Sequence, residues 1–209
     1  MNEYLVPAGA GKAEYIEKRS RFIGAVYPCE TEAEALEWIK KTCEEHREAR
    51  HNVYAYIIKE NNIMRYSDNG EPQGTAGMPT LEVFRREGVE NVVCITTRYF
   101  GGILLGAGGL TRAYAHTAKL ALDAAGIAMM REWAQFSVEI PYPLFEIVKR
   151  MLEDNGAILE DTDYGASVTV RGLIPMEEFE ILSARIVDGT AGQIRPQKLG
   201  SKFMGVKIR

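Results

Sequence analysis

Arg98 and Arg112 bracket a run, RYFGGILLGAGGLTRAY, in which Gly101, Gly102, Gly106, Gly108 and Gly109 separate an apolar stretch from an alanine-rich one. Glycine admits positive φ and lets backbone approach a ligand with no Cβ in the way, while the free N–H groups of a helix start favour negative charge. Forked guanidinium donors near either end suit phosphate or carboxylate. These residue types fit an anion-binding loop. They equally fit a tight turn that packs a helix closely on a sheet, and the spacing follows neither G-x-x-x-x-G-K-[ST] nor G-x-G-x-x-G. Tyr99, Phe100 and Tyr114 alternate with the two arginines, so they can stack on unpaired bases or fill the interface between sheet and helix.

A second glycine-rich cluster, YSDNGEPQGTAGMPTL, lies just upstream. Asp68 and Asn69 before Gly70 form a turn signal, Pro72 fixes φ, and Gly74 and Gly77 bracket Thr75 in a loop able to lie over the first one. Asp68 and Glu71 could serve as metal ligands or as an acid/base pair. The structural alternative is that the Asp-Asn-Gly carboxylate ties its own backbone.

Other catalytic chemistry finds little footing. His46 and His51 flank Arg50, and His116 follows Arg112 by one helical turn, but no H-x-x-x-H, G-x-S-x-G or cysteine-histidine signature occurs. A structural hydrogen bond through Asn52 is the simpler role for His51. The three cysteines, Cys29, Cys43 and Cys94, are odd in number and lack C-x-x-C spacing, which argues for a reducing cytoplasm and against a disulfide framework or structural zinc. Cys94 falls in an apolar run and reads as a small core residue.

SDNGEPQGTAGMP and TRYFGGILLGAGGLTRAY resemble the signature blocks of the IMPACT/YigZ family. KRSRFIG (Lys18 to Gly24) and ARHNVYAY (Ala49 to Tyr56) are similar to two further strand segments of that family. The similarity covers essentially the whole chain; the two glycine blocks are highly specific and the C-terminal part is weak in motifs. Leu104 departs from the pattern, since many members carry lysine there, and leaves the loop one cation short. The resemblance implies a cytoplasmic, two-domain α+β protein. Its first domain would be of the type shared by small-subunit ribosomal protein five, elongation factor G and the GHMP kinases, with a left-handed βαβ crossover. Its second would be ferredoxin-like, similar to a domain of elongation factor G. The phosphate loop of the GHMP kinases is an analogy of fold only. Eukaryotic relatives are implicated in translational control through partners near the ribosome, and bacterial ones are proposed to bind nucleic acid.

The elements that must position these residues can be read from periodicity. Strands are expected at Ser20 to Pro28, His51 to Lys59, Asn62 to Tyr66 and Val89 to Thr97. Helices are expected from Thr31 to about Arg47, with Thr31 and Glu34 in capping-box spacing, at Pro79 to Glu87, and at Leu110 to Gly126. A boundary near Trp133 divides an IMPACT-type domain, 1–134, from a ferredoxin-like domain, 135–209. The second domain's order is β (Gln135 to Ile140), α (Pro143 to Asn155), β (Ala157 to Asp161), β (Ala166 to Leu173), α (Pro175 to Asp188), β (Gln193 to Lys198).

Composition bounds the function. At 209 residues and 46% hydrophobic content the chain can bury one large core or two modest ones. No apolar run can span a bilayer, and MNEYLVPAGAGK has no leader pattern, so the chain reads as unexported with no membrane partner. Basic and acidic residues number 16 and 18 over 1–134 and 9 and 11 over 135–209, for a net charge of −4. Neither half is basic, so any nucleic-acid affinity must come from a local patch, either the glycine face or the acid-free C-terminal stretch RPQKLGSKFMGVKIR.

Two functions follow. The first is a non-catalytic, translation-linked regulatory protein that binds RNA, the ribosome or a ribosome-associated protein through the glycine-rich face. Arg98 and Arg112 would contact the partner, with Tyr99, Gly101, Gly102, Gly106, Gly108, Gly109, Gly74 and Thr75 shaping the surface and Asp68 and Glu71 holding the loops in register. The second is an enzyme on a small phosphorylated or carboxylated ligand, with Asp68 or Glu71 as base or metal ligand; it lacks the lysine or serine/threonine of a phosphate-transfer loop. No cofactor and no resident metal are expected, and nothing resembles a dimer helix, so a monomer is expected.

Overall fold

A computed structural model describes residues 3–209; Met1 and Asn2, at the head of the stretch read as leaderless, lie outside the described residues. The chain is mixed α+β, with two sheets and five α-helices among the described residues. It divides into two compact units, Tyr4–Met130 with Gly205–Arg209, and Arg131–Met204 with Glu3. No helix among the described residues is long and apolar enough to cross a membrane.

In the first unit the strands are β1 (Tyr4–Pro7), β2 (Gly11–Glu17), β3 (Ser20–Pro28), β4 (His51–Ile58), β5 (Ile63–Ser67) and β6 (Val92–Tyr99), and the helices are α1 (Glu32–Glu45), α2 (Gly77–Glu87) and α3 (Ala107–Ala125). The main sheet runs in the order β2-β3-β6-β4-β5. Every neighbouring pair is antiparallel, so β3 and β4 lie parallel to each other on either side of β6.

The central strand explains the layers. β6 is buried along nearly its whole length, and side chains alternate across a pleated sheet. Val92 and Cys94 therefore join Val26, Ala55, Leu81, Phe84, Ala118 and Leu122 beneath α2 and α3. Val93 and Ile95 face the other way, to Ala35 and Ile39 of α1. Burying each such large apolar side chain stabilises the fold by about 1.5–3 kcal/mol. Thr31 caps α1 by accepting from the Glu34 N–H at 3.2 Å, as its spacing predicts, whereas the Glu34 carboxylate accepts from the Glu30 N–H at 2.8 Å rather than closing the box on Thr31.

In the second unit the order is the far half of β7 (Ile127–Ile140), α4 (Phe145–Asp154), β8 (Ile158–Tyr164), β9 (Val168–Pro175), α5 (Phe179–Gly189) and β10 (Gln197–Lys207). β9 pairs antiparallel with both β7 and β8, and β10 pairs with β7, giving β8-β9-β7-β10. Phe136, Val138, Ile140, Val168 and Val170 pack against Val148 and Leu152 of α4 and Leu182 and Ile186 of α5.

β1 and β2 have no counterpart in the sequence reading, and two further elements depart from it most. β7 runs unbroken from Ile127, where the sequence suggests a strand only from Gln135, because its first residues pair with β1 (Tyr4↔Met130, Pro7↔Ile127). β10 begins at Gln197 rather than Gln193, since Gln193 and Ile194 instead bond to Thr190 at the end of α5.

Candidate functional site

Alternation along β6 puts Arg98 on the same side as Cys94, facing α3, and register places Phe22 of β3 and His51 of β4 beside it. The side chain is 5% exposed, so its charge needs partners. Glu71, itself 9% exposed, supplies the charge: its Oε1 accepts from Arg98 Nη1 at 2.8 Å and from the Tyr114 hydroxyl at 2.8 Å. Arg98 Nη2 donates to Ser20 Oγ at 3.3 Å, and the same oxygen accepts from the Gly101 N–H at 3.2 Å. Burial, and next the Glu71 carboxylate, hold the Tyr114 phenol well above its ordinary pKa. One atom is left over: Arg98 Nε is buried without a hydrogen-bond partner.

The first glycine cluster turns inward. Asp68 Oδ1 accepts from the N–H groups of Ala76 (3.0 Å) and Gly77 (2.8 Å), and Oδ2 from that of Gly74 (2.8 Å). Asp68 thereby supplies the N-terminal acceptors of α2, whose own cap residue, Ala76, has none. Thr75 Oγ1 donates to the Pro72 carbonyl at 2.7 Å. Asn69, at φ +45°, accepts from the Asn52 N–H at 2.7 Å, and its carbonyl accepts from His51 Nδ1 at 2.9 Å. A carbonyl only accepts, so in the neutral ring Nδ1 carries the proton and Nε2 is an acceptor.

The second cluster stays open. A Cβ at Gly101 would land on the Arg19 carbonyl group, so only glycine lets the hairpin β2–β3 close on the loop. Gly102 (φ +84°) and Gly106 (φ +71°) have no atom within 4 Å of an added Cβ; backbone conformation, not crowding, selects glycine there. Gly108 and Gly109 form the first turn of α3, which has no side-chain cap, and the N–H groups of Ala107, Gly108 and Gly109 have no acceptor among the described residues. The loop between carries Phe100 (47% exposed) and Leu104 (82% exposed).

These parts enclose a cleft of about 340 Å³ lined by Arg50, His51, Glu71, Pro72, Arg98, Phe100, Leu104, Leu105, Gly106, Ala107 and Leu110. Arg50 is exposed and has no ion pair among the described residues. At the β2–β3 turn Lys18 (φ +45°) and Arg19 (φ +67°) are also exposed, and neither they nor Arg47 in the α1–β4 connection has an ion pair among the described residues.

The structure thus brings Arg98, Glu71 and Gly106 to one cleft and Arg112 and Gly109 to another, of about 480 Å³, with Tyr15, Glu17 and His116. Tyr99 points to the α1 side, 3.0 Å from His46 Nδ1. No group of three metal-ligating side chains occurs among the described residues. Burial pushes the Cys29 and Cys94 thiols up to about 12, the behaviour of inert core cysteines. In the C-terminal stretch, Lys202 pairs with Glu160 and Arg209 with Glu87. Sequence reasoning passed over Ser20, Phe22 and Arg50 as site residues. The signal that finds them is the strand register, which sets β3 and β4 against Arg98.

Residues 18–122 match the model of the Impact N-terminal domain, and residues 138–193 that of a domain of unknown function, DUF1949. A protein described as IMPACT family member YvyE of Bacillus subtilis is 33% identical over 92% of this chain and 89% of its own length. The chain belongs to the IMPACT family. A second IMPACT family member, YigZ of Escherichia coli, is 28% identical over 93% of this chain and 97% of its own. A solved structure described as that of a hypothetical protein aligns with a TM-score of 0.60 at 28% identity, covering 96% of this chain and 98% of that one. The Impact N-terminal match holds both glycine clusters and every residue of the 340 Å³ cleft.

Proposed function

We propose that this IMPACT family protein is a non-catalytic, translation-linked binding protein that engages ribosomal RNA through the cleft beside the glycine loop. The observation that carries this is a set of cations without ion pairs among the described residues beside the glycine loop, Arg50 in the cleft wall and Lys18 and Arg19 at the hairpin turn whose Arg19 backbone packs on Gly101, on a chain whose net charge is −4. Lys18 and Arg19 occupy a two-residue hairpin turn with positive φ at both positions, where asparagine and glycine are favoured. Each strained position costs on the order of 1–2 kcal/mol. Two cations kept there at that cost support a role in binding. The translational setting comes from the family resemblance.

Asp68 and Glu71, the carboxylates a catalytic reading would use, are occupied, Asp68 by three amides and Glu71 by Arg98 and Tyr114. Strand and helix order support the finer fold reading as well. We infer that Tyr4–Met130 is of the ribosomal-protein-five type, since α1 joins two strands lying parallel about β6. The β8-β9-β7-β10 arrangement with two helices on one face favours a ferredoxin-like second domain.

Co-sedimentation with purified ribosomal subunits over a salt series tests the reading. Wild type is expected to sediment at low salt and to be released as salt rises, and Arg19→Ala with Arg50→Ala to lose most of the binding at an unchanged melting temperature. Wild type that stays in the supernatant at low salt would exclude it.

A further inference from the structure

We propose that the 340 Å³ cleft is a seat for one unpaired nucleotide of an RNA, with the base against Phe100 and its phosphate at the start of α3. This rests on the RNA reading above and narrows it from charge attraction to a site of defined size.

The argument begins in the core. The Arg98 guanidinium makes cation–π contacts with both Phe22 and Phe100, its Cζ 5.4 Å from each ring centroid. Phe22 is wholly buried and Phe100 is half exposed in the cleft wall. Glu71 and Ser20 hold the guanidinium, so the Phe100 ring rests against a fixed cation. A planar π-system is the group that suits such a half-exposed ring, and bases stack on aromatic rings regardless of sequence.

The remaining lining matches the rest of a nucleotide. Arg50 and the three free N–H groups opening α3, a helix of 19 residues, suit a phosphate. His51 Nε2, an acceptor in the neutral ring whose Nδ1 donates to Asn69, suits a 2′-hydroxyl or an exocyclic amine. Arg98 Nε is a buried donor with no partner, on a side chain that lines the cleft, and an acceptor on the ligand would satisfy it. Leu104, Leu105 and Leu110 cover the apolar edges. The volume lies at the small end of ligand clefts, which run about 300–1,000 Å³, so one nucleotide enters and a paired duplex does not.

Three labelled RNA hairpins, each closed by a non-nucleotide linker in place of its loop, test this by fluorescence anisotropy: one fully paired, one with a single unpaired adenosine in its stem, and one with an abasic residue at that position. The unpaired adenosine is expected to tighten binding about tenfold over the other two. Phe100→Ala is expected to erase that preference and Phe100→Tyr to keep it. Equal affinity for all three hairpins, or a preference that survives Phe100→Ala, overturns the nucleotide seat and leaves general RNA binding standing. Absence of binding to any hairpin at low salt overturns both.

Discussion

Residues 66–81 and 98–114 are both rich in glycine, and both lead from a strand into a helix. In the first, Asp68 gathers the amides of Gly74, Ala76 and Gly77, and Thr75 and Asn69 bond within reach, so the polar groups are spent on the loop itself. In the second, Gly106 caps α3 without a side chain and three N–H groups face no acceptor. One helix start carries its own anion; the other is left waiting for one. Glycine content alone does not distinguish a clasp from a binding loop. What separates them is whether a carboxylate of the chain reaches the helix start.

Glu71 of the first holds Arg98 and Tyr114 of the second, and breaking that contact is the largest expected effect. Glu71→Ala leaves a buried, uncompensated guanidinium and is expected to destabilise the protein by about 3–5 kcal/mol in urea titration. A loss below about 1 kcal/mol would mean that the two loops are not coupled through this pair. Next, Gly101→Ala and Gly106→Ala separate crowding from conformation within the open loop. The first forces a Cβ into the Arg19 carbonyl and should cost about 3 kcal/mol, the second only about 1 kcal/mol. Equal costs would dissolve the distinction drawn between them.

Asp68→Ala removes the acceptor of three amides and should cost about 2 kcal/mol, with the loss in hydrogen-exchange protection confined to the first turn of α2. Replacing Lys18 by Asn and Arg19 by Gly should run the other way, raising stability by about 2 kcal/mol while lowering affinity for RNA. A variant that is both more stable and equally tight would remove these cations from the binding face. The smallest effect on folding belongs to Leu104→Lys, within about 0.5 kcal/mol, because the side chain is 82% exposed. Its signature is a salt dependence of RNA binding steeper by about 0.7 in log–log slope.

Much of this was legible in the residues. β3 spans Ser20–Pro28 as its alternation predicts, and β6 (Val92–Tyr99) and α3 (Ala107–Ala125) overlap the apolar and alanine-rich runs with their starts shifted to Val92 from Val89 and to Ala107 from Leu110. Local patterns of that kind report on neighbours close in sequence. β1 and β2 were not legible, since a four-residue strand ending at Pro7 and an edge strand starting at Gly11 carry little apolar periodicity and exist through their partners. For α2, the acceptors that fix its start come from Asp68, nine residues before Gly77, outside the spacing of a local cap. The site was half legible for the same reason. Arg98 and Arg112 look equivalent beside the glycines, yet strand alternation buries one against Glu71 while helix geometry leaves the other exposed. The roles of Ser20, His51 and Arg50 depend on which strands flank β6, a pairing that no local spacing encodes.

The return of Gly205–Arg209 to the first unit also sets an order of events. Ile127 donates its N–H to the Arg209 carbonyl, its own carbonyl accepts from Ile208, and Arg209 pairs with Glu87. During synthesis, a unit whose other residues have all emerged by position 130 must wait for some seventy more before its last hydrogen bonds can form. The glycine face is therefore made early and locked late, and a nascent chain halted within 131–204 would carry the glycine loop on a body still missing its final brace.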